Sequence, residues 1–191
     1  NKNNMTEIQA IMADCKKHRI KVLNPDVNES ESNFTVNKNG DIRFGMGGMK
    51  GFGANIVDAI VKERTEHGPF TDIYDFCVRM SGTVNRKAME SLVNAGAFDS
   101  FGIERGRYFA CGKSGLQFID DLMNYASVTK QNEEDDAASL FGDAAELKVE
   151  KPEPPMMTVE PDILEILQKE KEMVGMYLSD HPLKCPCHPV W

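Results

Sequence analysis

No apolar run in the sequence approaches the roughly 18 to 20 residues that a membrane-spanning helix needs, so no membrane partner is expected. The N-terminus, Asn1-Lys2-Asn3-Asn4, lacks the apolar core of a secretory signal. Position 1 is not Met, and the expectation is a piece of a longer chain. The five cysteines are odd in number, and Cys15, Cys77 and Cys111 are scattered in apolar settings. That is no disulfide framework, and it points to a reducing, cytoplasmic compartment. What is plentiful is acid, with a formal net charge of −8, but it sits in one place. Residues 1–131 hold 17 Lys and Arg against 16 Asp and Glu, residues 132–160 hold 2 against 9, and residues 161–191 hold 3 against 5. The bulk of the chain is therefore near neutral, and an acidic total does not exclude a polyanionic partner if backbone amides supply positive potential. With 191 residues, 41% of them hydrophobic, there is material for one or two domains and a core.

The periodicity predicts a helix over 4–19, with Met5, Ile8, Ile11, Met12 and Cys15 on one face. Ile20 to Leu23 read as a short strand, and Pro25-Asp26-Val27-Asn28 as a turn. Residues 33–44 read as a β-hairpin: Phe34-Thr35-Val36 and Ile42-Arg43-Phe44 flank Asn39-Gly40, both tolerant of positive φ. A helix is expected from about Ala54 to Arg64, broken by His67-Gly68-Pro69. Thr71 is the expected cap of a short helix holding Ile73, Tyr74, Phe76 and Cys77. Asn85 caps another from about Arg86 to Asn94, which ends at Gly96. A long helical pattern runs from roughly Glu104 to Thr129, weakened by Gly112 and Gly115. Residues 131–160 are acidic, with the helix-incompatible run Lys151-Pro-Glu-Pro-Pro, and read as a mobile linker with one sticky point at Ser139-Leu-Phe-Gly142. The last helix is expected over about Asp162–Leu178.

The segment that carries chemistry is Gly48-Met49-Lys50-Gly51-Phe52-Gly53-Ala54-Asn55-Ile56-Val57, in a stretch with five glycines inside nine residues. A Gly-x-Gly turn leads at once into an amphipathic helix. Two glycines let the backbone approach another surface and adopt φ values a Cβ forbids. The first amides of the helix have no intrahelical acceptor and carry the positive end of its dipole, which is a phosphate-binding arrangement that needs little net charge. Lys50 and Asn55 add a charged donor and an amide donor. The spacing fits neither a Walker A loop, which ends in Gly-Lys-Ser/Thr, nor a dinucleotide fingerprint, which needs Gly-x-Gly-x-x-Gly. The competing reading is a Gly-rich turn that only packs.

A weak echo follows. Val84-Asn85-Arg86-Lys87-Ala88 starts a helix that reaches Asn94-Ala95-Gly96-Ala97-Phe98-Asp99, another Gly-containing turn without the Gly-x-Gly form. As a phosphate cradle it is poor, and packing is the expected role. Arg86 and Lys87 sit at a helix start, against the favourable dipole sense, which suggests a job for them beside the plainer reading of solvated charge.

Seven motifs in order carry a family resemblance: Pro25-Asp26-Val27-Asn28-Glu29-Ser30, the run from Ile42 to Gly53, Phe70-Thr-Asp-Ile-Tyr-Asp-Phe76, Val84 to Lys87, Ala95 to Asp99, Ser139 to Gly142, and Lys169-Glu170-Lys171-Glu172 through Gly175-Met-Tyr-Leu-Ser-Asp-His-Pro-Leu183. Over most of residues 4–183 the chain resembles the bacterial C-family replicative polymerases, the α subunit of DNA polymerase III. The resemblance implies a mainly α fold: a tandem helix-hairpin-helix bundle with a small β-hairpin, an acidic flexible linker and a C-terminal helix. It divides the chain into the end of a fingers region (1–44), a tandem helix-hairpin-helix duplex-binding domain (45–130), the linker (131–160), a helix leading to the next domain (161–183) and an atypical tail (184–191). It implies non-sequence-specific gripping of double-stranded DNA, a primer–template, by its backbone, with Lys50, Gly51, Phe52, Gly53, Ala54, Asn55, Arg86 and Lys87 as the DNA-binding set. Other domains and subunits of the replicative polymerase are the implied protein partners. The palm aspartates lie upstream in that family, so no catalytic residue, metal site or cofactor is expected here, and the magnesium of the parent nucleotidyltransferase belongs elsewhere.

After Lys184 the chain departs from the family. Cys185-Pro186-Cys187-His188, with His181, looks superficially like a zinc set, but Cys-x-Cys between prolines is poorly spaced for tetrahedral closure. The pairs Asp120-Asp121, Glu133-Glu134 and Asp135-Asp136 diverge by about 100° on a helix and read as solvated charge. Phe52 and Tyr74 are candidates for stacking on a base, with packing as the plainer role. Two rival functions stay open. One is a protein-interaction or packing module without DNA contact. The other is a fragment of a helix-hairpin-helix DNA repair enzyme, which needs a catalytic Asp or Lys well beyond the hairpin; Asp58 and Lys62 follow it too closely.

Overall fold

The computed structural model describes residues 10–11, 14–15, 17–50, 52–138, 150–156 and 162–179. Gly51, Ser139–Gly142 and the tail from Asp180 on lie outside the described residues, as does most of the helix expected over 4–19, of which residues 10, 11, 14, 15 and 17 are helical.

The first structured unit is a three-stranded sheet of order β1-β3-β2, with β1 Val22–Leu23, β2 Thr35–Val36 and β3 Ile42–Arg43. The expected hairpin forms between β2 and β3, with Val36 opposite Ile42. Its turn is closed by the Asn37 side chain, whose Oδ1 accepts from the amides of Asn39 (3.0 Å) and Asp41 (2.9 Å), and Gly40 takes φ +83°. The Ile20–Leu23 strand joins β3 in parallel, placing Val22 opposite Ile42.

Six helices follow among the described residues: α1 Ala54–His67, α2 Ile73–Arg79, α3 Arg86–Ala95, α4 Arg105–Phe109, α5 Phe118–Ala138 and α6 Ile163–Val174. Asn85 caps α3 as expected, its Oδ1 accepting from Ala88 N at 2.9 Å, and Gly96 ends α3 in the left-handed region. The cap of α2 is Asp72, not Thr71: Asp72 Oδ1 accepts from Asp75 N at 2.8 Å, while the Thr71 amide donates to Asp75 Oδ2 at 2.9 Å. A carboxylate one position nearer the helix wins the capping contest. The long pattern from Glu104 splits into α4 and α5, because Gly115 at φ +82° lets the chain turn back.

The core is a row of aromatics between α2, α3, α4 and α5. Phe70–Phe76, Phe76–Phe98, Phe98–Tyr108 and Tyr108–Phe118 stand 4.9, 4.9, 6.0 and 5.8 Å apart between ring centroids. Ile60, Leu92, Ile119 and Leu122 close the gaps, all fully buried. Each such side chain contributes about 1.5–3 kcal/mol of burial.

The motif Pro25–Ser30 is glue for this body. Asn28 pairs with Phe70 as a strand would: Nδ2 donates to Phe70 O at 2.9 Å and Oδ1 accepts from Phe70 N at 2.8 Å. Val27 N donates to Ala97 O at 3.1 Å, Arg64 donates to Val27 O at 2.9 Å, and Ser30 Oγ donates to Phe44 O at 2.7 Å. Sheet, α1 and the second Gly turn meet there.

The structure carries helix past the composition break at 131. α5 runs on to Ala138, with Lys130 Nζ donating to Ser81 O at 2.9 Å. Residues 150–156 lie against the helices. Their proline carbonyls, which no helix consumes, accept from Tyr74 OH (2.5 Å, Pro152) and from Arg107 (2.8 Å, Pro154; 2.9 Å, Pro155). Lys113–Glu153 at 2.7 Å and Lys151–Asp72 at 3.3 Å add ion pairs at the surface.

Candidate nucleic-acid interface

The first Gly turn is drawn into the body by its apolar members. Met49 and Phe52 are buried, Phe52 at 8% exposure, so Phe52 packs in the core and offers no ring to a base. The Lys50 amide donates to Met173 O of α6 at 2.7 Å, while the Lys50 side chain is exposed and has no ion pair among the described residues. Gly45 and Gly47 are explained internally. A Cβ at Gly45 would stand 2.4 Å from Asn33 C, and one at Gly47 would stand 2.7 Å from Ser32 O.

Gly53 is different. It has φ −74° and ψ 139°, an ordinary extended conformation, so the expectation of a φ forbidden to other residues fails there. A Cβ on it would meet nothing within 4 Å. Neither conformation nor internal packing calls for glycine at this position. It is the N-cap of α1, a helix of 14 residues, and it supplies no side-chain oxygen to the first turn. The helices α2, α3 and α6 begin instead at Asp72, Asn85 and Asp162, each accepting from a backbone amide. The first turn of α1 also contains no acid. Gly53, Ala54 and Asn55 are exposed, so the positive end of α1 faces solvent with the Lys50 ammonium close by in the chain.

Arg86 and Lys87 come apart. The Arg86 guanidinium donates to Glu90 (3.0 Å), to Asp120 (2.5 Å) and to Gln117 Oε1 (2.6 Å). The hydrogen bond to Glu90 first, and the neighbouring Asp120, raise its pKa above the ordinary arginine value. Its charge is spent on its own chain. Lys87 is exposed and has no ion pair among the described residues, so of the two it is the cation open to a ligand.

The second Gly turn is filled from within, in agreement with a packing role. Gly96 is left-handed at φ +83°, and a Cβ there would stand 2.2 Å from Arg105 Nη2 and 2.8 Å from Asp99 Oδ2. Arg105 lies across the turn, bonded to Asp99 (Nε to Oδ1, 2.9 Å) and to the fully buried Glu170 (Nη1 to Oε2, 2.8 Å). Neither Arg105 nor Glu170 stood out in the sequence. Glu170 entered only as part of the Lys169-Glu170-Lys171-Glu172 family motif, with no role assigned to it.

Among the described residues no group of three His, Cys, Asp or Glu side chains gathers to hold a metal ion. None of the described helices is long and apolar enough to cross a membrane. Of the paired acids, Asp120 and Asp121 diverge as expected, but both are half-buried and partnered rather than solvated: Asp120 accepts from Arg86, and Asp121 accepts from Ser114 Oγ at 2.7 Å; the side chains of Glu134, Asp135 and Asp136 lie outside the described residues.

Two comparisons match this geometry. Residues 19–108, which run from the sheet through both Gly turns to α4, match the helix-hairpin-helix motif family. Nearly the whole chain aligns with proteins named DNA polymerase III subunit alpha. The identity is 36% over 182 residues for that of Deinococcus radiodurans (93% of this chain, 13% of the relative), 32% over 182 residues for that of Vibrio cholerae (95% and 15%) and 30% over 185 residues for that of Xylella fastidiosa (94% and 15%). The chain thus spans about a seventh of the length of these curated relatives. Across that span, with its two Gly turns, small sheet and bundled helices, the chain belongs to the DNA polymerase III α-subunit family and carries its helix-hairpin-helix region.

Proposed function

We propose that this chain is a non-catalytic, duplex-gripping piece of a replicative DNA-directed DNA polymerase. It holds primer–template DNA by phosphate contacts at the first Gly turn and reads no bases. The observation that carries this is the bare N-terminus of α1: an exposed glycine cap with open space around it, where α2, α3 and α6 are capped by their own side chains. A phosphate oxygen fits a site of this kind through unpaired first-turn amides and the helix dipole. Lys50, Asn55 and Lys87 supply side-chain donors. Arg86 and Phe52 drop out of the working set, because one is paired internally and the other is buried. Phosphate contacts of this kind position the duplex and do not specify a sequence.

The packing reading has its own support in the buried Met49 and Phe52 and in the Lys50 amide tied to Met173 O. It describes the inner side of the turn, whereas Gly53 and Asn55 form the outer side. Fluorescence anisotropy with a labelled duplex, competed by unlabelled duplexes of unrelated sequence and equal length, tests the proposal. Binding with competitor affinities equal within about threefold is expected, since phosphate contacts carry no sequence information. A tenfold preference among competitors, or no binding of any duplex, contradicts it.

A further inference from the structure

Helix α6 holds both Gly turns at once. Its last turn takes the Lys50 amide of the first turn on Met173 O, at 2.7 Å. Its buried carboxylate, Glu170, takes the Arg105 guanidinium that lies across the second turn, at 2.8 Å. A fully buried carboxylate is tolerated only when every lone pair is used, and here four donors fill it. Oε2 accepts from Arg105 Nη1 and from Ser179 Oγ, and Oε1 accepts from the amides of Leu178 (2.5 Å) and Ser179 (2.9 Å). Ser179 Oγ is itself saturated, accepting from Asn24 Nδ2 at 2.7 Å and from Arg105 Nη2 at 3.1 Å. The chain after Gly175, a left-handed cap at φ +87°, is folded back onto α6 by these bonds.

We infer that Glu170 is a positioning residue for the duplex grip. α6 is a clasp that sets the first Gly turn against the second, and the four-donor knot at Glu170 fastens it. This rests on the proposed function for its DNA consequence, whereas the clasp itself is testable without DNA. The Glu170→Gln variant of the full chain keeps the side-chain size and an acceptor for the Leu178 and Ser179 amides. It removes the charge facing Arg105.

Amide hydrogen exchange reads the result at Lys50, at Ala97, whose amide donates to Leu92 O at 2.9 Å, and at Leu122 in the core of α5. Exchange at Lys50 and Ala97 should quicken by about tenfold or more with Leu122 unchanged, because a coupled knot loses more than one bond. Duplex affinity should fall by about fivefold with the salt slope intact. Removing a negative charge would by itself strengthen binding to a polyanion, so a fall runs against simple electrostatics and marks positioning. If Leu122 also loses protection, Ser179→Ala is the milder variant, and it should quicken Lys50 and Ala97 together by about threefold. Quickening of Ala97 alone, of neither, or of all three amides in both variants overturns the clasp. An unchanged or raised duplex affinity in a folded Glu170→Gln chain overturns its role in the grip. A parent chain that binds no duplex defeats the proposed function, while the exchange data still judge the clasp.

Discussion

Replacing Gly53 by Ala adds one Cβ at the cap of α1 and separates folding from binding. Two opposing terms set the stability. Ala is a poorer N-cap than Gly by roughly 0.5–1 kcal/mol. Against that, Ala restricts the unfolded chain and returns about 0.4–1 kcal/mol where the native φ suits it. At φ −74° and with no atom within 4 Å of the new Cβ, no strain enters. The two terms nearly cancel, and the melting temperature should move by less than about 2 °C for a chain of this size. Binding has no such cancellation. The Cβ stands on the outer side of the turn, where a phosphate oxygen must approach the first-turn amides. Losing one charge-assisted hydrogen bond costs about 1.5–3 kcal/mol, which is tenfold or more in affinity. Gly96→Ala is the opposite case. Its φ of +83° should destabilise the fold by about 1–2 kcal/mol, with the Arg105 guanidinium displaced from across the turn. Thermal unfolding by circular dichroism and anisotropy titration with a labelled duplex measure the two quantities. A folded Gly53→Ala chain that binds duplex as tightly as the parent refutes the phosphate approach at α1.

The remaining expectations are shorter. Among the described residues Tyr108 OH is buried without a hydrogen-bond partner, so Tyr108→Phe should be neutral or stabilising by about 1 kcal/mol in urea unfolding, and a loss above about 1 kcal/mol would show a partner. Burial first, with Asp72 adding to it, pushes the Cys77 thiol up to about 12, and burial likewise raises Tyr74 and Tyr108. A raised acid stays neutral in the folded state while its unfolded counterpart ionises, so stability should hold below about pH 8.5 and fall as pH rises from there toward 12. At pH 8 a thiol reagent should modify the exposed Cys111 and spare Cys77 until the chain unfolds. With Arg86 spent on Asp120 and Glu90, only Lys50 and Lys87 release counterions, which gives a log–log salt slope of about −2 at roughly −0.9 per contact. Arg86→Ala should leave that slope unchanged, and a shallower slope in this variant would put the guanidinium on the DNA.

Local signals were readable from the sequence because their physics is local. Asn39-Gly40 made its hairpin, Asn85 and Gly96 bounded α3, and the apolar faces of α1 and α3 became core. The failures are contacts between residues far apart in the chain. Arg86 looked misplaced at a helix start because Asp120, 34 residues on, was out of view. Glu170 drew no role from the sequence beyond its place in a family motif, because its partner Arg105 lies 65 residues away. The turn motif at Pro25–Ser30 showed its resemblance but not its work, since Asn28 meets Phe70 across 42 residues. The acidic, proline-rich stretch read as linker from composition. Tyr74 and Arg107, placed side by side only by the fold, hold residues 152–155 through bare carbonyls. For the proposed site, glycine spacing singled out the turn before α1, but the reason given for Gly53 does not hold: it is permissive by what it leaves open outside the chain, not by its φ.

The most direct measurement is an amide chemical-shift titration of the isotopically labelled chain with a short duplex of arbitrary sequence. The account predicts that the largest shifts fall on the amides of Gly53, Ala54 and Asn55, with the Lys50 and Lys87 side chains responding. The second turn around Ala97 should stay nearly still, since Arg105 and Glu170 already fill it. Shifts concentrated on another surface, with Gly53 to Asn55 unmoved at saturating duplex, would contradict the claim that this chain grips DNA through the N-terminus of α1.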